Sequence, residues 1–503
     1  MVEAATLLTA ALAVLAAAFL WSRYRHGYWR RRGVPTPSGR LPFVGHMAPL
    51  LLGRKSFMDH FHDLAAQHRD AGYCGMYMWG QPMLLVFDPE MVKQILCKDF
   101  SSFHDRGLPS SESDALSQHL FNLNGAKWRN LRTCLSPAFT AGKLKLMFPL
   151  MRDIGDQLSA AVAGEAKPPG SEVDVQALLS RFATDVIGSV AFGINCNCLA
   201  DEDAEFLAMS RGLFRSTTLQ GLRFILEAVH PRLGVLLPFK LLYSETHRFF
   251  MDLMRETVEH RESNAVVRND FVHLLMQVRD QGLGLSDPDN HIAMTPGVMA
   301  AQAFIFFVAG LANVANTVSF CLHQLAQDAE LQQRVADEVR DVVREHGGQL
   351  SYEALKDMEL VERVLLEGLR LWAPVGSVFR KCNATATVGG VVVEEGVAVT
   401  IMSATMHRDP ALFPDPERFD PDRHTAEARD QRHPYAFIPF GEGPRMCVAE
   451  RFAMLELKLA LATLLRDFEF SRGPKFEVEP ALDPKAFFPR PVNGFPMLIQ
   501  NRK

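Results

Sequence analysis

The sequence has no C-x-x-C pair, no internal repeat and no surplus of basic residues. Its 53 Lys and Arg stand against 58 Asp and Glu, for a formal net charge of -5. Without a basic excess the electrostatic footprint of nucleic-acid binding is missing, so that partner is excluded. Eight cysteines are scattered along the chain: Cys74, Cys97, Cys134, Cys196, Cys198, Cys321, Cys382 and Cys447. They form no dense framework, so disulfides are not expected and the bulk of the chain should face a reducing compartment. Cys196-x-Cys198 is at most half a metal site. With no matching Cys or His nearby, both read as structural. No low-complexity linker follows residue 45. A prior of about 150 residues per domain would divide the chain into roughly three, yet no boundary is marked.

What is present begins with a hydrophobic fraction of 48%, enough for a large buried core. Ala4 to Trp21 is almost wholly apolar. As a helix it spans about 27 Å, close to the hydrocarbon thickness of a bilayer. Arg23, Arg25, Arg30, Arg31 and Arg32 follow it, and Glu3 is the only charge before it. A cleaved signal peptide, the alternative suggested by Ala16-Ala17-Ala18, would carry its positive charge first. The flanks instead favour residues 1–22 as an anchor with a lumenal N-terminus and the rest of the chain cytosolic. Pro35, Pro37 and Pro42 make residues 23–45 a stiff tether. Residues 46–503 are then one large, mainly α domain with a small β-sheet. Its strand-like runs are Pro82 to Phe87 and a hairpin of Val391–Val393 with Val397–Ile401, turning at Glu395-Gly396.

One helix stands out. Thr295-Pro296 is an N-cap and first-turn pair, and Gly297 to Gln327 contains no Asp, Glu, Lys or Arg. Such a segment is a second membrane span or a helix buried inside a large protein. Gln302, Asn313, Asn316 and Gln324 favour burial. Gly310 in its middle costs about 1 kcal/mol against Ala, which suggests that a flat cofactor or a bound gas approaches the backbone there.

The densest signal is Phe440-Gly441-Glu442-Gly443-Pro444-Arg445-Met446-Cys447, followed by an apolar-rich helix from Val448 to about Arg466. Backbone amides at a helix N-terminus lower a thiol pKa and stabilise the thiolate. Gly441 and Gly443 allow the tight turn that aims those amides, and Arg445 offers a fixed cation. This string resembles the haem-binding signature of the cytochromes P-450, F-G-x-G-x-R-x-C-x-G, with Ala449 where the last glycine is usual.

The resemblance runs from about Tyr28 to the C-terminus. It implies the cytochrome P-450 fold and haem b (iron protoporphyrin IX) with Cys447 as its axial thiolate, which favours O–O cleavage. Glu367-Gly368-Leu369-Arg370 matches the family's E-x-x-R, with both side chains on one helix face. Arg418, in Pro416-Glu417-Arg418-Phe419, looks like the third partner of that lock. Trp128 and Arg132 fit W-x-x-x-R and, one turn apart, would reach one haem edge. Arg380 and Arg106 lie where relatives offer cations to propionates, with surface arginine as the alternative. Asp99-Phe100, Phe103-His104-Asp105-Arg106-Gly107 and Met147-Phe148-Pro149 look like insect family six, whose members oxidise xenobiotics, plant toxins and insecticides.

One departure bears on mechanism. Relatives carry A/G-G-x-D/E-T in the central helix, a proton relay to dioxygen. Here the chain reads Ala309-Gly310-Leu311-Ala312-Asn313. Ala312 relays nothing, and Asn313 can hold water but is no acid near neutral pH. Thr317, one turn on, shares its face. The leading expectation is a monooxygenase, R–H + O2 + 2e− + 2H+ giving R–OH and water, with Ala309, Gly310, Asn313 and Thr317 at the site. The alternatives are a haem-thiolate isomerase or dehydratase acting on a peroxide, and a haem protein that senses or carries a ligand.

The resemblance further implies electrons from a membrane-bound NADPH-cytochrome reductase, with cytochrome b5 as an optional second donor, at the endoplasmic reticulum. Arg129, Lys143, Lys145, Arg445 and Lys458 are candidates for the docking face. The substrate is expected to be lipophilic, a xenobiotic or an endogenous lipid. Phe121, Phe304, Phe307, Val375 and Phe487 are pocket candidates, and Leu213 to Leu242 is either a stretch that dips into the bilayer or core helix.

Overall fold

The structure, a computed structural model, describes residues 2–108, 110, 114–166, 170–212, 244–282, 292–484, 486 and 488–502. The expectations for Leu213–Leu242 and Phe487 lie outside the described residues.

Among the described residues helices build most of the body, and three small sheets flank them. The first sheet orders its strands β1-β2-β7-β4, with β1 at Tyr73–Met78, β2 at Gln81–Val86, β4 at Val378–Lys381 and β7 at Ala398–Ile401. β2 and β7 run parallel; the other pairs are antiparallel. The second sheet sets β9 (Pro496–Asn501) between β3 (Glu172–Asp174) and β8 (Phe468–Ser471). The third pairs β5 (Ala386–Val388) with β6 (Val391–Val393).

The expected hairpin is therefore corrected. Val391–Val393 pairs backwards with Ala386–Val388, while Ala398–Ile401 joins a different sheet. The turn falls at Gly389-Gly390, both at positive φ, +53° and +81°. Two consecutive residues at positive φ are what a tight two-residue hairpin loop demands.

The chain from Trp29 onward belongs to the body, which corrects the tether expected over 23–45. Trp29 is fully buried. Its indole lies where a side chain on Gly75 would be, 2.3 Å from the ideal Cβ position. Its Nε1–H donates to the Met76 carbonyl at 3.0 Å, and the Gly75 N–H donates to the Pro35 carbonyl at 2.8 Å. The prolines thus lie along β1 as part of the body.

The central helix, Pro296–Leu325, starts as its sequence requires: the Thr295 hydroxyl accepts from the Val298 N–H at 3.3 Å, and Pro296 occupies the first turn. It is long and apolar enough to cross a membrane, yet most of it is buried. It packs against helices Val175–Ile187, Ser244–Asn264, Glu359–Leu371 and Glu450–Asp467. Gln302 and Asn316 meet protein partners: Gln302 Oε1 accepts from the Leu120 N–H at 2.9 Å, and Asn316 Oδ1 accepts from Gln176 at 2.6 Å. Close packing uses missing side chains. The Cys321 sulfur lies 2.4 Å from where a Cβ on Gly368 would sit, and Ile187 Cδ1 lies 2.6 Å from where one on Gly310 would sit. The missing side chain at Gly310 therefore makes room for a neighbouring helix. Cys196 packs in the same way against Gly188.

Candidate active site

The loop that presents Cys447 is held by its own backbone. The Cys447 N–H donates to the Phe440 carbonyl at 2.9 Å, the Met446 N–H to Gly443 at 3.0 Å, and the Gly441 N–H to Ile438 at 3.0 Å. Gly441 and Gly443 both have positive φ, +73° and +75°. A Cβ on Gly443 would sit 2.1 Å from the Leu96 carbonyl oxygen, so the second glycine is required by contact as well as by conformation. Ala449 has φ -102°, an ordinary conformation for alanine, and immediately precedes helix Glu450–Asp467.

The Cys447 side chain has an open face, yet surrounding protein desolvates the sulfur and raises the thiol pKa. The Ala449 N–H, donating to the sulfur, and the cations Arg132 and Arg106 pull the other way. The residue is thus exposed on one side while protein packs around its sulfur on the other.

Four guanidinium groups converge on this loop. Arg445 is buried. Its Nη2 donates to the Leu123 carbonyl at 2.8 Å and lies 3.4 Å from Asp105, its charge centre sits 4.0 Å from the Trp128 ring centroid, and its Nε and Nη1 have no partner. Arg380 is buried too, with Nη1 on the Phe379 carbonyl at 2.8 Å and Nε and Nη2 unpartnered. Arg106 donates to the Arg445 and Phe121 carbonyls at 3.2 and 3.1 Å, and Arg132 donates to the Met446 carbonyl at 3.0 Å. Burial pulls the pKa of Arg445 down to about 9 and of Arg106 to about 10, and takes Arg380 well below the arginine range, with mutual repulsion adding to it in each case.

Asp105 is the one carboxylate in ion-pair reach of the four among the described residues. It is steadied by the Gly125 N–H and by Asn383, at 2.7 and 2.8 Å. A cationic cluster with unmatched buried N–H groups calls for anionic oxygen ligands. The two carboxylates of haem b would fit it, and Cys447 would be the thiolate donor to its iron. Trp128 has a role of its own, as the aromatic face under Arg445.

The E-x-x-R pair is bidentate and fully buried: Arg370 Nε and Nη2 each donate to Glu367 at 2.8 Å. The third partner needs correction. The Arg418 side chain is exposed, and only its carbonyl takes part, accepting from Arg370 at 3.2 Å. Glu367 is completed by His424 at 3.0 Å, Arg423 at 3.5 Å and the Asp420 N–H at 2.9 Å. The lock reaches the thiolate loop through His407. Arg370 Nη1 donates to the His407 carbonyl at 2.8 Å, and His407 Nε2 accepts from the Ile438 N–H at 3.1 Å. Burial lowers the His407 pKa to about 3, which keeps that nitrogen free to accept. His407 and His424 carry no motif, so sequence reading misses them, as it misses Asp105.

On the central helix Ala309 is exposed between half-buried Val308 and Gly310, and Ala312 and Asn313 on the same face are half-buried. Asn313 Oδ1 and Thr317 Oγ1 are buried without partners. Gln302 ties this helix to the segment bearing Phe121, also donating to the Gln118 carbonyl at 3.0 Å. The Phe121 ring and carbonyl hold Arg106. Among the pocket candidates, Phe121 and Val375 are exposed, whereas Phe304 and Phe307 are buried in an aromatic cluster with Phe206 and Phe250. These two phenylalanines are core, on the side of the helix away from Ala309. The docking-face candidates also divide. Arg129 and Lys145 are exposed, and Lys143 is half-buried. Lys458 is buried on Glu362 at 2.7 Å and on the Leu355 carbonyl, and Arg445 is buried as described, so neither can meet a partner.

Residues 35–495 match the family model described as Cytochrome P450. Among curated relatives, the chain is 35% identical to cytochrome P450 6a2 of Drosophila melanogaster over 96% of this chain and 97% of that one. It is 36% identical to probable cytochrome P450 6a14 of the same fly, over 94% and 95%. With cytochrome P450 6k1 of Blattella germanica the identity is 34%, over 91% and 89%.

Proposed function

Because the chain belongs to the cytochrome P450 family, and is a haem-thiolate monooxygenase drawing on a redox partner, we propose that it oxidises lipophilic molecules with electrons from an NADPH-cytochrome reductase while anchored by helix Val2–Arg25 in the endoplasmic reticulum membrane. The observation that carries the catalytic reading is the exposed Cys447 in the loop that also bears buried Arg445, whose unpartnered N–H groups share their surroundings with those of Arg380. Haem b bound there supplies the activation of dioxygen and insertion of one oxygen atom into substrate.

Cys447 would bind the iron through its thiolate, with the Ala449 N–H stabilising the sulfur. Arg445 and Arg380, supported by Arg106 and Arg132, would hold the haem carboxylates. Glu367 and Arg370 fix the loop through His407. Asn313 Oδ1 accepts from an ordered water, and the Thr317 hydroxyl and that water pass protons in place of the missing acid. Phe121, Val375 and Ala309 face substrate. Arg129, Lys143 and Lys145 receive the reductase. The anchor reading is supported by Leu12, Phe19, Leu20 and Trp21, all exposed on the N-terminal helix.

The test is reconstitution with NADPH reductase, following NADPH consumed, peroxide released and product formed from lipophilic compounds, with Cys447→Ala as control. Product from the native protein and none from the control supports the reading. NADPH drained only into peroxide with every compound would refute oxygen insertion for that substrate class.

A further inference from the structure

The four guanidinium groups around the thiolate loop come from four separate stretches of chain. Arg106 follows the turn Phe100–Ser102, Arg132 lies on helix Gly125–Leu135, Arg380 on β4, and Arg445 in the loop itself. Burial lowers the pKa of Arg106, Arg380 and Arg445, and in each the neighbouring arginines lower it further. Like charges in a poorly solvated site drive these stretches apart. Their convergence needs a shared partner of opposite sign.

Asp105 touches all four stretches. It directly precedes Arg106. Its Oδ1 accepts from the Gly125 N–H at 2.7 Å, at the first residue of helix Gly125–Leu135. That helix has no acidic residue in its first turn, and its N-cap Asn124 makes no capping bond with its side chain. A carboxylate distant in sequence therefore supplies the cap and meets the positive end of the helix that carries Trp128 and Arg132. The same Oδ1 lies 3.4 Å from Arg445 Nη2. The Asp105 carbonyl accepts from the Lys381 N–H at 2.7 Å, in an antiparallel bridge at the end of β4, one residue from Arg380. Asn383 then grips Asp105 twice. Its side-chain carbonyl accepts from the Asp105 N–H at 3.1 Å, and its amide donates to Oδ2 at 2.8 Å. Every oxygen of Asp105 thus has a protein partner, and those partners fix the carboxylate against all four arginine-bearing stretches.

We propose that Asp105 is a positioning residue of the haem site, the shared counter-charge that sets the spacing of the four arginines, and through them both the grip on the haem carboxylates and the reduction potential of the iron. This inference rests on the reading of Arg445 and Arg380 as the groups that hold those carboxylates. Asp105 acts through the arginines, because its own oxygens are occupied by protein donors. Without its charge the cluster is more positive by one unit and its members separate. Positive surroundings favour the iron state that has gained an electron, so the potential rises.

The test uses the full-length, haem-loaded protein and two readouts: the rate of haem transfer to excess apomyoglobin, and the ferric–ferrous midpoint potential by spectroelectrochemical titration. The variants are Asp105→Asn, which removes the charge at nearly constant shape, Asp105→Glu, which keeps the charge but displaces it, and Asn383→Ala, which removes the grip on Asp105 alone. All three are expected to release haem faster, Asp105→Asn by about tenfold or more. Only Asp105→Asn should shift the ferric–ferrous equilibrium toward ferrous, by about threefold to tenfold, which at 59 mV per tenfold for one electron is about 30–60 mV upward. Native haem release and native potential in Asp105→Asn overturn the proposal alone, provided that the native protein retains haem b longer than its dimethyl ester. Faster release at an unchanged potential in Asp105→Asn assigns the residue a purely structural part and also overturns it. Equal retention of haem b and its dimethyl ester by the native protein overturns the carboxylate-holding reading of Arg445 and Arg380, and the proposal with it.

Discussion

The backbone of the loop Phe440–Cys447 and the side chains on the central-helix face bearing Ala309, Asn313 and Thr317 treat polar atoms in opposite ways. In the loop the N–H groups of Gly441, Met446 and Cys447 are bonded to backbone oxygens, and behind it Arg370 is satisfied by Glu367, His407 and Arg418. On the helix, Asn313 Oδ1 and Thr317 Oγ1 have no partner, although Ser319, two residues on, bonds back to the Ala315 carbonyl at 2.7 Å. Sites that fix a ligand need geometry set in advance by saturated supports. Groups that handle water and protons need bonding capacity left over. The difference therefore separates a scaffold from a reacting face.

Breaking the scaffold gives the largest effect. Glu367→Ala leaves Arg370 buried without its carboxylate and should cost about 3–5 kcal/mol, seen as a lower thermal midpoint and lost haem. The pH dependence follows from the carboxyl itself. Burial alone would raise its pKa, but hydrogen bonds from Arg370 and His424 bring it down to about 2. A depressed carboxyl stabilises the fold above its ordinary value of 4.5, and that stability is lost as pH falls through about 2. Native and Glu367→Gln proteins should accordingly differ most above pH 4.5 and converge toward pH 2 in urea unfolding. An unchanged gap at low pH would sink the ionised-lock account.

The reacting face is sharpened by Thr317→Val and Asn313→Thr. Valine should raise the peroxide released per NADPH several-fold, and threonine at 313 should lower it, with little change in thermal midpoint. If both ratios stay at the native value, the unpartnered atoms have no part in proton handling.

Glu456 tests the scaffold from within, because both its carboxylate oxygens are buried and unpartnered on helix Glu450–Asp467. Burial raises its pKa well above 4.5, so the folded chain keeps a proton that the unfolded chain releases. Stability from this group falls as pH rises above 4.5. Glu456→Gln should raise the thermal midpoint near neutral pH and flatten its decline, whereas a lower midpoint would reveal a bonding role for the ionised carboxyl. The smallest change is expected for Arg418→Ala, within about 0.5 kcal/mol, because the side chain is exposed and the carbonyl remains. A loss comparable with Glu367→Ala would restore Arg418 as a true third partner.

Much of this site was legible because certain contacts leave local signatures. Gly443 must be glycine to pass the Leu96 carbonyl, and Glu367 with Arg370 shows its helical spacing in the string itself. His407, His424 and Asp105 leave none, since their partners Ile438, Glu367 and Arg445 are distant in sequence. Phe304 and Phe307 were misjudged for a related reason: on a helix apolar all round, composition does not say which side meets neighbours and which meets a ligand.

The sequence by itself determined the thiolate loop, the capped and uncharged central helix, the E-x-x-R pair and the loss of the acid at Ala312, because each depends on residue type within one or two turns of chain. Only the tertiary structure decided that Val391–Val393 pairs with Ala386–Val388, that Trp29 fills the space at Gly75, that Ile187 fills the space at Gly310, and that Arg418 lends a carbonyl instead of its charge. Those outcomes depend on which surfaces meet across long separations. Packing of distant segments sets them, and no local pattern of residues encodes it.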